Sequence, residues 1–227
     1  MDYPTYVATL ANLLVYQTTD TNFVQILPEA ISYAELRMYR ELDLLSTVVR
    51  DSSASLTVNS RNFTLPQTLG RFVTVQGINV LLTATTRSEM VSAAREFVDF
   101  TYPNEAAVGS PSIPAFYAML TDQTIIIGPA PGSAYSVEVI GTIRPTPLSG
   151  ANTTTFLTLY IPDAFIAASM IFATGWQRDF GAMSDDPTRA ISWESQYEML
   201  MKSANTEELR KRYNRTMVDT TSSGGTK

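Results

Sequence analysis

The sequence predicts an α+β fold: a four-helix bundle-like core, a β-rich insertion between its second and third helices, and an extended C-terminal arm. Three observations point there. Apolar residues recur at helical spacing near both ends of the chain, the period changes to strand-like alternation in the middle, and the last residues, "VDTTSSGGTK", are too polar and too rich in Gly and Ser to pack alone. The expected division is 1–50 with 156–213 as the helical core, 51–155 as the β-rich insertion with one short helix, and 214–227 as a flexible arm.

Each element has its own signal. Tyr6, Val7, Leu10, Leu13 and Leu14 form one stripe of a first helix, which "TTDTN" breaks. Pro28 suits the first turn of a second helix, with Ile31, Ala34, Met38 and Leu42 inward and Glu35, Arg37, Arg40 and Glu41 outward. From Ser52, "ASLTV" and "RNFTL" alternate around Asn59 and Ser60, a hairpin pattern; Pro66 ends one strand, and Phe72, Val73 and Val75 start another before Gly77. Thr86 and Glu89 read as a capping box ahead of Met90, Ala93, Ala94 and Phe97, hence a short helix. "AFYAML", "QTIIIGPAP" and "SAYSVEVIGTI" give three short strands.

Pro162 and Asp163 start the next helix, since proline lacks an amide that would be unpaired there and an acid favours the positive end of the dipole. Its apolar run, Ala164 to Ala173, makes some 15 Å of helix against a bilayer core near 30 Å, so a buried core helix is expected and not a membrane span. Asp186 as cap and Pro187 at the first position announce a last helix, with Trp193, Tyr197, Leu200 and Ala204 on one face.

Composition narrows the chemistry. Of 227 residues, 44% are apolar, enough for a real core, and 17% are charged, below the ~25% of ordinary domains, which points to surface reserved for assembly. Thirteen of the sixteen basic residues are Arg, which suits subunit contacts better than solvation does. With no His and no Cys the chain cannot build a Ser-His-Asp triad, a thiol nucleophile, a Cys/His zinc site or a disulfide framework. The net charge of -6 argues against wholesale phosphate binding, and "MDYPTYVATLANLLVYQ" reads as neither a secretory leader nor a lipidation site.

The layout and several phrases, "LPEAISYAELRMYRELDL", "FTLPQTLGRFVTVQGINV", "IIIGPAPGSAYSVEVIGTIRPTPLS" and "WESQYEMLM", resemble the head-to-tail adaptor (connector, head completion) proteins of tailed bacteriophages over about Tyr6 to Tyr213. The resemblance implies a structural virion protein, not an enzyme, without cofactor or metal, located at the neck and assembled in the host cytoplasm. It implies a homo-oligomeric ring, of about twelve copies to match the portal. Its partners would be the portal protein and a downstream tail or nozzle protein, with DNA passing non-specifically through the lumen and no membrane contact. Another neck or tail-completion protein, or a carboxylate-dependent tail glycan hydrolase, stand as alternatives.

The charge map suggests how such a protein works. Glu96 to Ile143 carries net -5 and Lys202 to Arg215 net +3, two ends that can meet in a heterologous contact or simply be solvated. Given the resemblance, Arg210, Lys211, Arg212, Tyr213, Arg215, Met217 and Val218 are candidates for docking on the portal. A solvated helix end, or phosphate contact with Tyr213 stacked on a base, are the other readings of that segment. Glu105, Asp122 and Glu138 are candidates for channel-facing or subunit-interface acids that repel phosphate. The adjacent acids Asp185–Asp186 and Glu207–Glu208 do not suit glycoside hydrolysis, because neighbours on a helix point different ways.

Overall fold

The computed structural model describes residues 1–104, 112–176 and 187–221. In chain order they form α1 (Tyr3–Leu14), α2 (Thr21–Glu41), β1 (Val48–Ser55), β2 (Asn62–Thr64), β3 (Gly70–Leu81), β4 (Arg87–Ser92), α3 (Arg95–Thr101), β5 (Phe116–Met119), β6 (Thr124–Gly128), β7 (Ser136–Pro145), α4 (Phe156–Tyr160), α5 (Pro162–Trp176) and α6 (Pro187–Thr221). Two compact units result: Met1–Leu45 with Pro147–Lys227, whose described elements are helices, and Ser46–Thr146, which holds α3 and all seven strands found among the described residues.

In the helical unit α5 is central because its sequence leaves it no polar face. Ala164, Phe165, Ala167, Ala168, Met170 and Ala173 are all buried, and α1, α2, α4 and α6 pack around them. A helix apolar around its circumference needs neighbours on every side, and alanines let them come close. Tyr6 of α1 stacks on Phe165 with ring centroids 4.9 Å apart, and its hydroxyl donates to Ser169, whose own hydroxyl donates to the Phe165 carbonyl at 2.8 Å. This buried pair of hydroxyls is thereby satisfied internally.

Local signals set the ends of the helices. Asp2 caps α1 by accepting the Thr5 amide at 3.0 Å. A Schellman turn closes it, Tyr16 N–H to Ala11 C=O at 2.8 Å and Val15 N–H to Asn12 C=O at 3.2 Å, with Val15 left-handed at φ 60°. Asp20 caps α2 through Asn22 and Phe23, so the helix starts well before Pro28 and the expected start at that proline is corrected. Buried Phe23 and Leu27 extend the apolar stripe, while Pro28 faces solvent, where the amide bond it denies to the Val24 carbonyl costs least. Thr155 and Thr158 form a capping box that starts α4, and Pro162 forces a new helix after it.

Glu35 was expected outside and is 4% exposed; it lies on the same stripe as Ile31 and Met38, and its Oε1 accepts the Leu148 amide at 2.9 Å. Burial raises its pKa from 4.5 to about 7 against the opposing pull of that hydrogen bond. On the other side of α2, Arg37 grips α6: Nη1 donates to Glu194 at 2.9 Å, Nε to Glu41 at 2.9 Å, and the guanidinium lies 4.3 Å over the Tyr197 ring, whose hydroxyl donates to Glu41 at 2.8 Å.

The sheet unit is ordered β1-β7-β3-β4-β5-β6-β2, antiparallel except for the parallel pair β4–β5. Register shifts in β3 and β1 mark bulges, which sharpen the twist of the curled sheet around Phe72, Ile78, Val80, Met90, Ile125, Ile127, Val137 and Val139. On its other side α3 covers Ala118 and Ile126 with Val98, so β6 is buried on both faces. Gly141 lies where β3 presses closest on β7: a Cβ there would sit 2.2 Å from the Thr74 carbonyl oxygen.

The expected four-helix bundle-like core with a β insertion is therefore corrected. Six α helices occur among the described residues, and the strands build a curled seven-stranded sheet with its own core. The reason is pairing between distant strands. β1 and β2 do not form the expected hairpin; the turn at Asn59 exists, with φ 58°, but β1 pairs with β7 and β2 with β6. The expected helix from Thr86 is likewise strand β4, which buries Met90 against the sheet core, and helix begins only at Arg95. β3 also runs through Gly77 without a break.

Two outcomes follow from this packing. Gly141→Ala is expected to destabilise the protein by about 3 kcal/mol in denaturant unfolding, because the clash is with backbone and not with a flexible side chain. Glu35 holds a proton in the folded state that the unfolded chain releases above pH 4.5. Its contribution is fully present below pH 4.5 and lost as pH rises through about 7. With no His in the chain, few other side chains titrate in that window. Glu35→Gln is expected to remove up to roughly 3 kcal/mol of stability loss between pH 5 and 8, read from unfolding curves at the two pH values.

Candidate functional site

The basic end of α6 is built on its packing against the rest of the helical unit. Tyr197, Met201, Ala204 and Glu208 recur on the buried face, so residues between them point outward. Lys211 donates to Glu207 at 2.9 Å and Glu208 at 2.7 Å, and its ammonium stands 5.6 Å from the Phe156 ring centre. Glu208 itself is buried and accepts the Leu45 amide at 3.1 Å. Arg212 pairs with the Asp43 carboxylate at 2.6 Å and the Asp43 carbonyl at 2.9 Å. The hydrogen bonds to Glu208 and Glu207 raise the Lys211 pKa, and the Arg212 bond holds Asp43 below the usual carboxylate range.

Of the predicted docking cations, Arg212 thus fastens the end of α6 to the chain just beyond α2, while Lys211 pairs with two acids of α6 itself. Arg210 is exposed and makes no ion pair among the described residues, and Tyr213 is 64% exposed. Arg215, Met217 and Val218 lie on α6, but their side chains are outside the described residues, as is the whole of Glu105.

The acids of the sheet unit are set among arginines. Glu138, on β7, is buried; Asn79 of β3 donates to it at 3.0 Å, and Arg50 of β1 and Arg87 of β4 lie 3.8 and 3.4 Å away. Asp99 meets Arg61 at 2.8 Å and Arg95 at 3.5 Å. Asp122 sits in the β5–β6 turn, 90% exposed, 3.7 Å from Arg71, on the rim of a cavity of about 650 Å³ that Arg71, Gln123 and Arg144 also line.

Of the acids between Glu96 and Ile143, Asp99 and Glu138 are therefore paired with arginines. The sheet unit holds six arginines against seven acids, and the helical unit ten basic against fifteen acidic residues. Sequence reasoning missed this because most of these arginines, Arg50 of β1, Arg61 before β2, Arg71 of β3 and Arg87 of β4, lie outside the acidic stretch. It also missed Arg144, whose only signal was a basic residue ending an alternating strand. No three His, Cys, Asp or Glu residues gather as a metal site among the described residues.

No curated protein matched the chain in comparison. The sequence pattern described as "SU10 adaptor protein" matches residues 1–220, nearly the full length, and spans both the helical unit and the sheet unit. On that match the chain belongs to the SU10 adaptor protein family, a family of bacteriophage adaptor proteins.

Proposed function

We propose that this phage adaptor works as a ring between the portal and the tail, continuing the DNA channel and offering a platform on which the next tail component docks. The observation that carries the reading is the family match along nearly the whole chain. The ring copies the portal's symmetry, with about twelve subunits, and sits at the neck of the virion. Its action is binding without turnover: broad faces, each weak alone, hold through multivalency once several copies stand on one portal.

Both units carry more acids than bases, which supports passage of DNA without adhesion. Portal attachment is assigned to the last part of the chain. Arg212 ties α6 to Asp43 and Lys211 is paired within α6, which leaves Arg210, Tyr213 and the residues from Asn214 onward to reach the portal.

Electron microscopy of the full-length protein mixed with a portal from a phage with an adaptor of this family tests the reading. A coaxial ring at the portal's narrow end is expected; a portal that stays bare overturns it. Deletion from Asn214 onward is expected to weaken attachment at least tenfold, about 1.4 kcal/mol, while the melting midpoint stays put because the contacts of Glu208, Lys211 and Arg212 remain. Undiminished attachment by the shortened chain rejects the role of this segment.

A further inference from the structure

The register of β3 against β7 sets Arg71 directly opposite Arg144. Like charges in that position destabilise a sheet. Little nearby offsets them. Asp122 lies 3.7 Å from Arg71 but almost wholly in solvent, and Arg144 makes no ion pair or hydrogen bond among the described residues; its Nε is buried without an acceptor. Gln123 donates from Nε2 to the Phe72 and Asp122 carbonyls, at 2.9 and 2.8 Å, which leaves its Oε1 buried without a donor. These groups line the cavity of about 650 Å³, beside exposed Met119 and Leu120. Its two guanidiniums and its apolar rim ask for a carboxylate joined to an apolar group.

Both are found at the other end of the same hairpin. α3 packs at the start of β5, where Phe97 meets Phe116 edge-on at 5.4 Å, whereas the cavity lies at the last residue of β5 and the turn after it. Glu96 and Phe100, four residues apart on α3, share one side of the helix. Phe100 is 88% exposed, and Glu96 makes no ion pair among the described residues.

We propose that the Glu96–Phe100 side of α3 docks into the Arg71–Arg144 cavity of a second copy of this chain, with the carboxylate between the two guanidiniums and the ring against Met119 and Leu120. Donor and receptor are different patches at opposite ends of one hairpin. The contact is therefore heterologous, and repeats from copy to copy until a ring closes. The inference rests on the ring reading above and names the surfaces that join its subunits. The carboxylate relieves the repulsion between the arginines, so the contact stabilises the sheet that receives it.

The chain has no cysteine, so introduced thiols report without background. In the full-length protein, alone and with portal rings added, Phe100→Cys with Leu120→Cys in one chain is expected to give a ladder of covalent oligomers with a short bis-maleimide. Each single variant gives no ladder, and a mixture of the two single variants stops at the covalent dimer. Glu96→Arg is expected to weaken assembly at least tenfold, with recovery when it is mixed with Arg71→Glu. Rings that form normally without linkage between the two thiols overturn this contact and leave the ring reading standing. No assembly either alone or on the portal overturns both.

Discussion

The helical unit depends on one constraint: α5 is apolar on every side and must be covered from every side. Only Asp163, in its first turn, carries charge. The cover comes from both ends of the chain, α1 and α2 from the first residues and α6 from the last described ones. The other features of the unit follow from holding those segments in place, among them the Tyr6–Ser169 bond, the grip of Arg37 on Glu194 and the fastening of Arg212 to Asp43. Each joins residues more than 150 positions apart, which makes the unit cooperative across the chain.

Arginine does a second job that lysine would do less well. In the helical unit Arg37 contacts two carboxylates and an aromatic ring at once, and in the sheet unit Arg50 and Arg87 flank the buried Glu138. A planar fork of donors serves several acceptors, where an ammonium is a point charge. The preference for Arg, visible in composition, therefore has an intramolecular cause as well as the assembly role first suggested for it. It also explains why a window of sequence charge is a poor guide to surface charge: the arginines beside Glu138 come from two other strands.

What was legible followed from local physics. The apolar period of α5, the face of α6 through Tyr197 and Ala204, and the strands β5 to β7 were all readable, because each is set by the residues within it. Errors came where a distant neighbour decided. β1 and β2 look like a hairpin by composition, yet each is claimed by a strand 60 or more residues on. Thr86 and Glu89 have capping-box spacing, yet strand pairing with β3 prevails over it. Glu35 had the correct spacing for burial, four residues from Ile31, and was misplaced because a carboxylate rarely goes inside. Of the predicted docking residues, the sequence could identify the cations but not which of them were already engaged; among the described ones Arg210 is exposed and makes no ion pair.

The pairing of β1 with β7 has a wider meaning for how this chain folds. A floppy segment of about a hundred residues between α2 and α4 would cost roughly 4 kcal/mol in closure entropy before α1 and α2 could meet α5. Val48 lies beside Thr142, so the first and last strands of the excursion zip together and bring its two ends side by side. Once the sheet has formed, the helices meet across what amounts to a short connection, and the excursion is free to vary in size or shape between relatives without loosening the helices that depend on it.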